Sequence, residues 1–148
     1  MKATESPPLH DWAKEEYPVK LRVNSKTTQP DGVTYEGIRS LDPDVAKYYG
    51  IQLQTYQGQP LRYAYKYPNN TKYRDYHEKN KSWYKETGLG ATDLFGPDFN
   101  AGTSKRIYIT EGEFDAASLY QILDKRWPVV SLPSASIGDK FFQKNKDY

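Results

Sequence analysis

The sequence predicts an α+β protein, a small β-rich basic part followed by a βαβ unit with a parallel, Rossmann-like sheet. Three observations predict it. "LRYAYKY" (61–67) alternates with period two, placing Tyr63, Tyr65 and Tyr67 on one face and Arg62 and Lys66 on the other. "RIYIT" (106–110) and "PVVSL" (128–132) are short apolar runs of the buried-strand type. Between them Ala116, Leu119, Tyr120 and Leu123 recur at i, i+3, i+4 and i+7, one face of a helix. A strand, a helix and a strand within 27 residues leave room only for a tight crossover with parallel strands.

In chain order, residues 1–32 carry prolines and charges with no sustained period and read as a flexible lead or linker, with Trp12, Tyr17 and Val19 able to dock on a core. Residues 33–104 form the basic part. Within it "LDPDVAKYYG" is a short helix with its own start and stop: Asp42 as N-cap, Pro43 at the first helical position and Gly50 closing the end. The triplet Asp42-Pro43-Asp44 looks like a metal-binding D-x-D, but capping accounts for both acids. "LRYAYKY", the turn chemistry of "PNNT" and the extended "KYRDY" make a β-hairpin. The glycine-containing stretch 77–105 is mostly loop, with a short strand near "SWYK". Residues 105–148 hold the βαβ pattern.

The chain has 148 residues, 36% hydrophobic and 27% charged, with a net charge of +2. That length suits one ordinary domain or small subdomains. No run approaches the roughly 20 apolar residues of a spanning helix, and the N-terminus lacks a signal-peptide core. No membrane partner and a cytoplasmic location are therefore expected. There is no cysteine and the two histidines lie far apart, so no zinc site is expected. A metal here would be held by carboxylate oxygens, which favours Mg2+ or Mn2+. His77 reads as an exposed polar residue rather than a ligand.

The chemistry-bearing stretch is "YITEGEFDAASLYQIL", which sets Glu111, Gly112, Glu113 and Asp115 at the strand-to-helix junction. A carboxylate at the C-terminal end of a parallel strand projects into the crevice where ligands of such sheets collect. There it can bind a divalent cation or exchange a proton with an attacking hydroxyl, and Gly112 allows close approach. Acids also simply favour a helix N-terminus. Spacing alone leaves both readings open.

A second candidate region runs from Arg62 to Lys85. Seven basic residues (Arg62, Lys66, Lys72, Arg74, Lys79, Lys81, Lys85) stand against Asp75 and Glu78, with seven aromatics between them. Lysine and arginine neutralise phosphates while tyrosine and tryptophan faces stack on unpaired bases. The alternative is a solvated hairpin with its tyrosines packed inward.

"IYITEGEFDAASLYQIL" followed by "PVVSLPSAS" resembles the first motif and following strand of a TOPRIM domain, in the form found in phage-type DNA primases, primase-helicases and their mitochondrial helicase relatives. "YEGIRSLDPDVAKYYGI", "KYRDYHEKNKSWYKETG" and "LFG" lie in the order of that family's subdomain preceding TOPRIM. The resemblance covers roughly residues 33–136. It implies a DNA primase or primase-helicase acting in DNA replication, with template-directed RNA primer synthesis using Mg2+. Glu111 would be the family's glutamate, acting as general acid/base at the metal site, and Glu113 and Asp115 would complete the acids of that box. Lys72, Arg74, Lys81 and Lys85 would contact nucleotide or DNA. Partners implied are a single-stranded DNA template, NTPs and the remainder of a primase-helicase or a helicase subunit, in a phage-infected host cell. An alternative within the resemblance is a non-catalytic single-stranded-DNA-binding module of a replicative helicase.

Three departures are visible. The cysteine ribbon is absent, Pro133 stands where relatives commonly have glycine, and no second motif with paired aspartates follows before Tyr148. The expectation is a truncated half of the TOPRIM fold, inactive alone. No P-loop of the type G-x-x-x-x-G-K-[ST] occurs.

Overall fold

The computed structural model describes residues 23–99 and 104–146. The expected docking residues Trp12, Tyr17 and Val19 lie outside them. The fold is α+β, with a five-stranded antiparallel sheet and a separate parallel pair of strands.

The sheet is a meander of β1 (Gly32–Thr34), β2 (Ile51–Tyr56), β3 (Gln59–Lys66), β4 (Thr71–Asp75) and β5 (Ser82–Tyr84), in that spatial order. Helix α1 (Pro43–Tyr49) falls where its punctuation puts it. Pro43 opens it, and Gly50 at φ 68° sends its N–H back to the Ala46 and Lys47 carbonyls. The Asp42 side chain makes no cap hydrogen bond; its backbone N–H instead donates to Gln121 Oε1 at 2.7 Å.

Strand β2 was not anticipated. It pairs with β3 through the two-residue turn Gln57-Gly58, both at positive φ (49° and 72°), which is the twist a tight hairpin prefers. The expected β3–β4 hairpin is present, with Tyr65 opposite Lys72 and Tyr63 opposite Arg74. Buried Asn70 holds its turn in place. Its side-chain oxygen accepts from the N–H groups of Thr71 (2.9 Å) and Glu86 (3.0 Å), and its amide donates to the carbonyls of Glu86 (3.0 Å) and Gly90 (3.2 Å).

The βαβ unit follows as β6 (Tyr108–Thr110), α2 (Glu113–Ile122) and β7 (Val129–Ser131), with β6 and β7 parallel. Phe95 adds a short antiparallel bridge to Ser131, exchanging N–H···O bonds of 2.8 and 2.9 Å. Gly96 makes that approach possible: it sits at φ 140°, and a Cβ there would lie 3.2 Å from Val130 Cγ1. A short helix, α3 (Asp139–Lys144), buries no side chain and was not expected.

Two boundaries differ from expectation. Residues 1–32 were expected to be a lead, yet Gly32 begins β1 and Ser25 is buried, its hydroxyl on Asp75 and its carbonyl accepting from Arg62 at 2.7 Å. Nor is residue 104 a break in the core. One apolar cluster joins Ile38, Val45, Tyr49, Tyr63 and Tyr65 to Phe95, Phe114, Ala116 and Val129. Tyr49 ties the two parts further by donating to the Val129 carbonyl at 2.6 Å. Among the described residues no helix is long and apolar enough to cross a membrane.

Candidate nucleotide and carboxylate site

Alternation gives the sheet an inner face, against α2, and an outer face. On the inner face Phe114, in the first turn of α2, meets Tyr63 edge-on at 4.9 Å and Tyr65 at 5.5 Å between ring centroids. The three tyrosines of "LRYAYKY" are all buried. They are core residues, so the inward-packing reading holds for them and they offer no faces to bases. Arg62 is buried as well: it donates to Gln54 Oε1 at 2.6 Å and to the Ser25 carbonyl, and burial pulls its pKa down.

The acids of the junction do different things. Glu111, just past the end of β6, is exposed and has no hydrogen bond or ion pair among the described residues. Gly112 is the N-cap position of α2, and its carbonyl accepts from Thr110 Oγ1 at 3.0 Å. A Cβ on Gly112 would come 2.8 Å from Asp115 Oδ2, so exposed Asp115 folds back over the glycine. Glu113 points the other way, into the interface with the sheet. Its Oε1 accepts from Lys72 Nζ at 2.7 Å and from the Tyr67 hydroxyl at 2.9 Å.

Lys72 thus spans the two parts of the protein. Besides Glu113 it donates to the Pro133 carbonyl at 2.9 Å, fixing the loop after β7. Tyr67 is a fixed donor, because burial first and the neighbouring Glu113 carboxylate second push its hydroxyl pKa far upward. Burial and then Glu113 raise the Tyr65 hydroxyl likewise, and the guanidinium groups of Arg74 and Arg39 nearby oppose the shift.

The remaining expected cations are dispersed. Arg74 is on the inner face and spends its Nε on the Lys79 carbonyl at 2.9 Å. Lys81 and Lys85 flank β5; Asp75 N–H donates to the Lys81 carbonyl and Lys85 N–H to the Thr71 carbonyl. Sequence reasoning missed three participants: Tyr67 as a Glu113 partner, the Pro133 carbonyl, and Arg39. The Arg39 guanidinium lies 3.9 Å over the Phe114 ring at the start of α2. Nothing local in the sequence marks the first two, which depend on contacts between residues 46 and 61 positions apart.

The donor chemistry at the junction is that of a hard cation, but the described residues bring no three acidic or histidine side chains together in a metal-holding group. Glu111, Glu113 and Asp115 diverge, leaving Glu111 and Asp115 exposed and Glu113 neutralised. Alone they do not form a magnesium cage.

No family model matches the sequence, and no curated protein matches it. One solved structure similar to it is that of bacteriophage T7 lagging-strand DNA polymerase interacting with primase domains of two gp4 subunits bound to an RNA/DNA hybrid and dTTP. The matched chain is 30% identical, with a TM-score of 0.48, and the match covers 64% of this chain and 48% of that one. This chain therefore spans about half the length of the chain it is similar to.

Proposed function

We propose that this chain is part of a phage-type DNA primase or primase-helicase, contributing a basic sheet and the first carboxylate strand of a TOPRIM fold to RNA primer synthesis on a single-stranded DNA template. The observation that carries the reading is the placement of Glu111. It is exposed at the carboxyl end of β6, immediately before α2, in a parallel β6–α2–β7 unit. That is where an open parallel sheet presents groups to a ligand.

In this reading Glu111 exchanges a proton with the ribose hydroxyl that attacks an NTP. Glu113 and Lys72 hold α2 and the post-β7 loop at a fixed distance from the sheet, and Arg74 lies on the same inner face. Further oxygen donors, from other residues or a second polypeptide, would be needed for Mg2+. NTPs, template DNA and a helicase partner are the proposed ligands.

The test is oligoribonucleotide synthesis on a single-stranded template, with the chain supplemented in cis or in trans by a segment carrying paired aspartates. Synthesis that is lost in Glu111→Gln, without change in melting temperature, is expected. Synthesis indifferent to Glu111→Gln would remove the residue from the chemistry. A second reading, a non-catalytic single-strand-binding module, is favoured by the absence of a converged acid cluster among the described residues. It predicts DNA binding without synthesis under every supplementation.

A further inference from the structure

The cations expected at one site are divided between two faces by strand parity. Lys72 and Arg74 sit opposite Tyr65 and Tyr63 on the inner face. Tyr73, between them in sequence, points outward, where its register partner is Trp83. The two rings lie 5.7 Å apart at 34°, and the Arg62 guanidinium supports Tyr73 from 4.5 Å. Lys81 and Lys85 stand two residues to either side of Trp83 and so share its face, roughly 13 Å apart with the indole midway. Lys66, exposed at the end of β3, is opposite Thr71, which in turn receives the Lys85 N–H.

The face is therefore a half-buried aromatic pair ringed by three lysines. Strands β1 to β5 contain one acid, Asp75, which offsets part of the Lys81 charge and leaves Lys66 and Lys85 without a counterpart on those strands. Asp75 is buried and accepts from the Ser25 hydroxyl and from the N–H groups of His77 (2.8 Å) and Glu78 (2.6 Å). Unbalanced cations suit a polyanion. Stacked rings set among them suit one whose flat bases are free of a partner strand. A double helix would satisfy the lysines and leave the rings without a role, and an acidic helix of a protein would do the same.

We propose that the outer face of the sheet binds single-stranded nucleic acid, a base stacking on the Trp83–Tyr73 pair while Lys66, Lys81 and Lys85 hold the flanking phosphates. This surface is separate from the Glu111 junction and does not depend on primer synthesis. Its occupancy needs neither NTP nor Mg2+.

The test uses the full chain and fluorescein-labelled oligo(dT) of about 15 nucleotides, near the upper site size of single-strand binders, without nucleotide or magnesium. An oligo(U) arm assigns the sugar. Trp83→Leu is expected to weaken binding about tenfold. In a Trp12→Phe/Trp127→Phe background the oligonucleotide should quench the remaining indole emission. Lys66→Glu/Lys85→Glu, which alters exposed side chains and guards against a folding defect at Trp83, should weaken binding and flatten its salt dependence. Each lost phosphate contact lowers the log–log slope by about 0.7. Unchanged affinity in the double variant, a loss confined to variants of the inner-face cations, or a duplex that binds as tightly as oligo(dT) would overturn the proposal. Because no synthesis is measured, failure here leaves the Glu111 reading standing, and failure of primer synthesis leaves this one standing.

Discussion

Two lysine–carboxylate pairs in this protein have nearly the same length and very different surroundings. Lys72 and Glu113 meet at 2.7 Å with side chains 17% and 7% exposed; Lys125 and Asp44 meet at 2.6 Å with side chains 43% and 67% exposed. Water competes freely for the second pair, so its attraction is screened and holding two mobile side chains together offsets most of it. The first pair is largely shielded, and each partner has a further hydrogen bond, from Tyr67 to Glu113 and from Lys72 to Pro133. Distance does not rank the two; shielding and the extra partners do.

The comparison can be broken most directly at Lys72. Lys72→Met leaves the Glu113 carboxylate buried without a cation and should cost about 3 kcal/mol, read as a lowered denaturation midpoint. Lys72→Met/Glu113→Gln should recover most of that loss, because a neutral amide can still accept from Tyr67. If the double variant is no better than the single one, Lys72 acts through something other than Glu113.

Tyr67→Phe sharpens the same contrast by removing a single donor. It should destabilise by about 1 kcal/mol, since Lys72 remains on the carboxylate. A loss as large as that of Lys72→Met would show that the hydroxyl, not the cation, holds Glu113 in place.

The smallest effect belongs to the exposed pair. Asp44→Asn should leave the melting temperature unchanged within error at ordinary salt. Hydrogen bonding from Lys125 holds the Asp44 carboxyl below its ordinary pKa of 3.8. Any contribution is thus present above that value and disappears as the pH falls through the lower folded-state value. A melt that shifts with salt across neutral pH and loses that shift in Asp44→Asn would promote this pair to a structural role.

Legibility followed the range of each interaction. Helix α1 could be read because Pro43 and Gly50 punctuate one short stretch, even though the Asp42 side chain forms no cap. Parity put the three tyrosines on one face but did not say whether that face was core or a surface for bases; packing against Phe114 and Phe95 decides for core. Strand β2 has the same alternation in "IQLQTY", but its polar face is glutamine and its turn is Gln-Gly, a weaker signal than Asn-Gly or Asp-Gly. The E-G-E-x-D-A stretch marked the junction correctly as the start of a helix, yet it could not say that Glu113 would be claimed by a lysine 41 residues earlier. Nor could composition say that Arg62 would be buried while Lys66 stayed exposed. Those outcomes depend on which strand lies beside which.

Lys72 and Tyr73 are adjacent in the chain and serve opposite sides of the molecule, one gripping the carboxylate helix and the other a stacked ring. A slip of β4 by a single position would exchange them, so both surfaces would be scrambled by one error. Asn70, whose side chain bonds Thr71 at the start of β4 and Glu86 and Gly90 beyond β5, ties the strand's first residue to the segment that follows its neighbour. It makes a frame marker: lose its amide, and the protein would keep its strands while misplacing its chemistry.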